Sequence, residues 1–489
     1  MSDIQAGCFS ALLRPRRRKA TTTKPALMAA SEHPVRGPPP YSPAAPREGI
    51  YRPEVMETIE ATLATLDVDL HQLSLSIHDH PELNFQERFA HDALTAFMAA
   101  RGFAVTPHYL GLETAWRAEF VHMPGAKGAR VVGVNAEMDA LPGVGHACGH
   151  NLIAVAGVGV ALALAAALRA HNTPGTVVLL GTPAEEAGGG KQLLLERGAY
   201  EEMNVCVMCH PMGGATQAVG FAPTLALQVI NVEFFGHAAH AAFAPWEGVN
   251  ALDAAFLAYG NVSALRQQLK PDQRVHGIVQ GRDWTPNVIP DYAKMAWIVR
   301  ASVWDDVVVL RDRVIKCLDA AAMATGCTHS ITFGDRYREL HQNRVLAEDL
   351  AATAREQYGV PTSITGDVSS ASTDFVTLPS IHPTYNIPTD GGAQNHTPGF
   401  TRASRTPEAH TATMLMARML ALTGFRVLDD GAFFEQVGCG AIPATHLHND
   451  IFHAGEAVPR PRESGAGVYV VLGGLDVSWV HAARELYYR

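Results

Sequence analysis

Positive charge is in short supply in this chain: 48 acidic side chains outnumber 38 basic ones, for a formal charge of −10. That balance excludes a general binder of phosphate backbones and leaves a small molecule, not nucleic acid, as the expected partner. Cysteine is sparse as well. Seven, an odd number, are scattered over 489 residues, which is not the dense framework of a secreted disulfide module and fits a reducing, cytoplasmic compartment. The amino terminus lacks the apolar core of a signal peptide. Its basic run, Arg14-Pro15-Arg16-Arg17-Arg18-Lys19, reads either as a solvated tail or as a nuclear or organellar address. Long hydrophobic runs are few. Residues 152–168 form an uncharged stretch of borderline membrane-spanning length, but its Ala and Gly content and its place directly after a polar loop fit a helix buried in an α/β core. No membrane partner is expected.

What is present is enough apolar sequence, 47% of the chain, to bury more than one core, so two domains are the natural expectation. Residues 1–50 are rich in Pro, Ala, Ser and Arg and are expected to be disordered. Helical patterns follow at 53–79 and 87–101, then a strand at 130–135. From there strands and helices alternate, which predicts an α/β fold with a mostly parallel sheet flanked by helices. Further strands are expected at 176–181, 205–209 and 383–387. Between the last two, residues 222–340 change pattern: strand-like runs at 225–235 and 292–303 alternate with amphipathic helical runs at 250–268 and 307–324. This segment reads as an inserted α+β lid, dividing a catalytic domain into residues 51–221 and 341–429. Residues 430–489 carry no clear pattern and are read as an extension of unknown role.

Four polar clusters fall just past the ends of the four strands, where open α/β sheets gather ligands. The first loop contains Glu137-Met138-Asp139-Ala140-Leu141-Pro142 and His146-Ala147-Cys148-Gly149-His150-Asn151. Thiol, imidazole and carboxylate in one apolar-flanked loop have the composition of a metal site. As a lone pair, Cys148 and His150 would more readily describe a buried cysteine beside a capping histidine. Glu185 and Glu186 follow the second strand, His210 ends the third, and His396 lies beyond the fourth; each alone has an ordinary structural reading, and their coincidence at one sheet edge favours metal. Two other patterns carry little weight. Cys206-Val207-Met208-Cys209-His210 spells a haem-attachment motif but lies within a strand. Gly188-Gly189-Gly190-Lys191 lacks the spacing and the hydroxyl residue of a phosphate-binding loop.

These motifs, with Gly236-His237-Ala238-Ala239-His240-Ala241, Asn287-Val288-Ile289-Pro290-Asp291 and Asn395-His396-Thr397-Pro398, resemble the metallo-amidohydrolases that include aminoacylases, indole-acetyl-amino-acid hydrolases, aminobenzoyl-glutamate hydrolases and related dipeptidases. The resemblance covers roughly residues 55–425. Gly149-His150-Asn151-Leu152-Ile153-Ala154 looks closest to the branch of cytosolic dipeptidases acting on basic dipeptides, and Asn151 stands where many relatives carry Asp. The resemblance implies a zinc-exopeptidase-like catalytic domain with a lid that also dimerises. It implies two divalent ions, with zinc favoured by the thiolate and manganese or cobalt admitted, held by Cys148, His150, Glu186, His210 and His396. Glu185 would be the general base and Asp139 the residue orienting a ligand imidazole. His240 would reach the partner subunit's site and hold an oxyanion, with Asn287 nearby, and Arg300 would bind a substrate carboxylate. The implied reaction is hydrolysis of the amide bond of a dipeptide or N-acyl amino acid. Rival readings are a deacylase of a specialised secondary-metabolite amide, a non-catalytic binder of amino-acid conjugates, and a structural assembly factor that would have no need of five metal-type side chains.

Overall fold

In the computed structural model, residues 51–366, 371–375 and 379–439 are described. The expected disorder of residues 1–50, the basic run within them, and the stretch after residue 439 lie outside that range. The chain runs α1 (Pro53–His78), α2 (Arg88–Ala99), β1 (Ala104–Pro107), β2 (Trp116–His122), β3 (Arg130–Glu137), α3 (His150–Ala170), β4 (Gly175–Thr182), α4 (Gly190–Glu196), β5 (Val205–Val207), β6 (His210–Gly213) and β7 (Val219–Phe221). It continues through β8 (Ala226–Phe235), α5 (Ala251–Leu265), β9 (Arg274–Gln280), β10 (Tyr292–Ala301), α6 (Trp304–Thr325) and β11 (Thr328–Tyr337). The remainder is α7 (Arg344–Tyr358), β12 (Thr362–Ile364), β13 (Ser380–Ile381), β14 (Thr384–Ile387), α8 (Pro398–Ala403), α9 (Pro407–Asp429) and α10 (Gly431–Cys439).

The central sheet has the order β1-β2-β4-β3-β5-β13. Its inner strands are parallel: β3 pairs with β4 and with β5, and β5 pairs with β13. Buried on both faces, β3 and β4 are near-continuous apolar runs, as parallel strands tend to be. The β1-β2 edge is antiparallel, which the sequence pattern did not suggest. Only residues 108–115 join these two strands, too short a connection for the crossover that a parallel pair needs.

Helix α3 explains the 152–168 run. It packs on β3 and β4 on one side and on α1 and α9 on the other, so it is apolar all round because it is covered all round. Among the described residues, two helices, α3 and α9, are long and apolar enough to cross a bilayer, and both are interior, with 94% and 83% of their most hydrophobic windows buried.

Residues 226–337 build a separate antiparallel sheet, β11-β8-β10-β9, packed against α5 and α6. Alternate residues of β10, among them Met295, Trp297 and Val299, are buried; they share a core with Ile230, Val232 and Phe234 of β8 and Leu310, Val314 and Leu318 of α6. Each fully buried aliphatic side chain of this kind contributes about 1.5–3 kcal/mol.

One strand expectation needs correction. Residues 383–387 do not extend the central sheet: Thr384–Ile387 joins a third sheet, β12-β7-β14-β6, while the two-residue β13 takes the central position beside β5. Pro383, which has no N–H to give to a ladder, separates the two strands.

Candidate metal centre

β3 ends at Glu137, and the chain turns through Asp139 and a loop into α3, whose first residue is His150. Gly149 precedes it with a left-handed φ of 78°, and a Cβ there would lie 2.7 Å from Pro211 Cγ. Glycine lets the loop pass that close to β6. Cys148 Sγ thereby comes to 3.3 Å from His210 Nε2. His210 Nδ1 lies 2.9 Å from the Pro211 carbonyl, so Nδ1 donates and Nε2 turns its lone pair toward the thiol. Burial lowers the His210 pKa to about 4, which keeps this imidazole neutral.

Asp139 binds two elements of the site at once. Its Oδ1 is 2.9 Å from His150 Nδ1, and its Oδ2 accepts the backbone N–H of Glu186 at 3.0 Å. Glu186 Oε2 is 3.5 Å from His396 Nε2. His396 is held in turn by its own N–H, which donates to the Ala147 carbonyl at 2.8 Å. The donor atoms fall into three sets, each with all members within 4.8 Å of one another: Cys148, His150 and His210; Cys148, Glu186 and His396; Glu137, His150 and Glu185. The five expected ligands therefore make two sets that meet at Cys148.

His150 Nε2 and Glu186 Oε1 are buried without a hydrogen-bond partner. Buried polar atoms are rarely left so, and a cation at this point satisfies both. The sulfur, nitrogen and oxygen donors suit a borderline-soft divalent ion, so the residues fit the group. The thiol supports the same reading: burial pushes the Cys148 pKa up, and it becomes a thiolate ligand when a cation supplies the compensating charge.

The loop that carries Glu185 and Glu186 is clamped. Ala184, with φ of 57°, donates its N–H to Glu87 Oε1 at 2.9 Å, and Tyr337 OH donates to the Glu185 carbonyl at 2.9 Å. Burial, followed by the nearby charge of Glu137, holds the Glu185 carboxyl well above the ordinary carboxylate range. A carboxylate in that state takes up a proton readily, as a general base must.

Other expected residues lie elsewhere. His240, in the loop after β8, and Asn287, in the loop between β9 and β10, are both exposed and lie side by side: His240 bridges to Val288 and the Ala241 N–H donates to the Asn287 carbonyl at 3.0 Å. Among the described residues, neither side chain touches the donor cluster. Arg300, at the end of β10, donates to Ser372 Oγ at 2.8 Å. The strand-end placement expected for all four clusters is met by the first two and by His210, which opens β6 just beyond β5; His396 follows β14 of the third sheet.

Glu137, Lys191, Asp374 and His382 have no role assigned from the sequence pattern. Lys191 is 1% exposed and makes ion pairs with Glu137, at 2.7 Å, and with Asp374. The glycine run before it therefore leads a lysine into the core and not to a phosphate. His382 stacks edge-on with His210, ring centres 5.9 Å apart. For Glu137 and Lys191 the available signals were a carboxylate at a strand end and a lone cation after three glycines. Asp374 carried none, because its partner is 183 residues away.

The model of peptidase family M20/M25/M40 matches residues 133–421, which include every element of this cluster. The chain is 42% identical over 381 residues to a Mus musculus protein called Xaa-Arg dipeptidase, covering 75% of this chain and 87% of that one. The Homo sapiens protein of that name is 40% identical over 377 residues, covering 73% and 85%. Among solved structures, a Bacillus subtilis protein described as a dinuclear metal-binding peptidase from the M20 family superimposes with a TM-score of 0.56 at 20% identity, covering 75% of this chain and 99% of that one; at that identity the likeness is one of fold. With the matching family model, the two relatives and the gathered donors together, the chain belongs to peptidase family M20/M25/M40, as a metal-dependent hydrolase of amide bonds.

Proposed function

We propose that the protein hydrolyses dipeptides, with those ending in a basic residue preferred, at a two-metal centre formed by Cys148, His150, Glu186, His210 and His396. The observation that carries this is the pair of donor sets meeting at Cys148, with His150 Nε2 and Glu186 Oε1 both buried and without a hydrogen bond. The substrate preference draws on the names of the mouse and human relatives, and the pairing of metals on the description of the Bacillus subtilis fold neighbour. Zinc suits the thiolate, and manganese or cobalt suits the carboxylate and imidazole donors.

Cys148, His150, Glu186, His210 and His396 would hold such ions, which when bound would activate water and polarise an amide carbonyl. Glu185 would accept a proton from the attacking water and return it to the leaving nitrogen. Asp139 keeps His150 in the tautomer whose Nε2 is free to ligate. His240 accepts the N–H groups of Ala242 and Phe243 on Nδ1, at 3.2 and 3.1 Å. Its Nε2 therefore carries the proton and is available as an oxyanion donor, with Asn287 beside it. Arg300 retains unused donors on a partly desolvated guanidinium, whose pKa burial lowers, and is assigned to the substrate carboxylate.

In this reading residues 51–221 and 341–429 form the catalytic domain and 222–340 the lid. His240 and Asn287 serve the site of a second subunit, which makes the protein a homodimer. The edge position of β9 and the exposed Phe256, Leu257 and Tyr259 of α5 supply a surface for that pairing. A cytoplasmic setting is included in the proposal and agrees with the free thiols of Cys148, Cys209, Cys317 and Cys327.

A screen of dipeptides and N-acyl amino acids, with the released amino acid detected directly, tests the substrate assignment. Dipeptides ending in Arg or Lys are expected to turn over fastest. Turnover of N-acyl amino acids alone would replace this assignment with a deacylase.

A further inference from the structure

Lys191 is a lysine in the interior, 1% exposed, and no step of the proposed reaction uses it. Its ammonium joins Glu137, at 2.7 Å, to Asp374, while its backbone N–H donates to the other Asp374 oxygen at 2.8 Å. The glycines before it make this entry possible: a Cβ on Gly190 would collide with the Pro183 carbonyl, and Gly188 and Gly189 have φ of 120° and 61°. Three separate segments, the end of β3, the first turn of α4 and residues 371–375, thus converge on one buried ion-pair cluster.

Glu137 is the consequential partner. One carboxylate oxygen is held by Lys191, and the other lies 3.5 Å from His150 Nε2, the nitrogen assigned to a metal. Glu137 is moreover in the third donor set, with His150 and Glu185. A buried carboxylate next to a divalent ion and lacking a counter-charge would turn onto that ion and take the position a substrate or water needs.

We infer that Lys191 is a positioning residue that holds Glu137 off the metals and so keeps a coordination position open. The inference rests on the two-metal reading above, and metal analysis of the parent protein tests that reading separately, before any variant is made. A lysine suits the task because its point charge compensates Glu137 and Asp374 together, where leaving either carboxylate buried and unpaired is strongly unfavourable.

The test compares K191M with the double variant K191M/E137Q. In K191M, kcat per folded, zinc-loaded chain is expected to fall about 10- to 100-fold, the range seen when residues behind a metal site are lost, with KM changed little. Zinc is expected to resist a competing chelator at least as well as in the parent. In the cobalt-loaded chain the visible absorption is expected to weaken as the coordination number rises. K191M/E137Q removes the competing carboxylate and is expected to regain most of the lost kcat and the parent cobalt spectrum. An unchanged kcat in K191M, an unchanged cobalt spectrum, or a folded double variant as slow as the single one would overturn the inference. If K191M does not fold, the double variant alone decides: kcat within about tenfold of the parent supports the inference, and a folded, metal-loaded but slower chain overturns it.

Discussion

Asp139 Oδ1 lies 2.9 Å from His150 Nδ1, and this one contact settles which imidazole nitrogen faces the cluster. The other oxygen of the same carboxylate holds the Glu186 N–H at 3.0 Å, so two proposed ligands drawn from different strand ends share one support. Asp139→Ala should weaken zinc binding or activity about 10- to 100-fold. Zinc content after dialysis against a weak chelator, with kcat/KM measured in parallel, checks this.

Glu185 and Glu186 are adjacent in the chain and have different assignments. Glu185→Gln keeps the shape and removes the proton acceptor, so it should retain metal and lose about 10² to 10⁴ in kcat. Glu186→Gln should lose metal first. Metal analysis of the two variants side by side separates the roles, and normal turnover by Glu185→Gln would refute the assignment of the base.

Gly190 leaves no space for a side chain, because the Pro183 carbonyl lies where a Cβ would go. Gly190→Ala must displace the loop that bears Glu185 and Glu186. A destabilisation of about 1–3 kcal/mol, as for overpacked cores, should appear as a lower Tm together with lower metal occupancy.

The cluster of potential donors was legible because its chemistry is local. Asp139, Cys148 and His150 lie within a dozen residues, and Glu185 and Glu186 follow an unmistakable buried strand. His210 and His396 were found through strand ends, although His396 follows a strand of a different sheet from the one expected. The Lys191 ion pairs were not legible. Three glycines before a lysine suggest a phosphate loop as readily as an interior cation, and Asp374 approaches from a segment without periodic pattern. The antiparallel β1-β2 edge was missed for a related reason, since a short connection of mixed composition between strands reveals itself only once their pairing is known.

Glu87 offers a pH test away from the donors themselves. It is fully buried and accepts from Phe85 N, Ala184 N and Thr114 Oγ1 at 3.0, 2.9 and 2.7 Å. Burial outweighs these donors and raises its pKa from 4.5 to about 7. The folded chain therefore holds this proton more tightly than the unfolded chain, and the associated stability is complete below pH 4.5 and lost as the pH rises through 7. In Glu87→Gln the amide oxygen keeps both backbone N–H bonds and the amide nitrogen donates to Thr114. The variant should gain on the parent by about 1.4 kcal/mol per pH unit across that window, as measured by denaturant unfolding between pH 5 and 8. Parallel stability curves would contradict the assignment.

The most direct measurement of the central claim is a zinc titration of the chelator-stripped protein, with bound zinc and hydrolysis of an Xaa-Arg dipeptide followed together. No turnover is expected from the stripped chain, and full recovery once two equivalents are bound per chain. Full-rate hydrolysis by a chain that holds no divalent ion would contradict the claim.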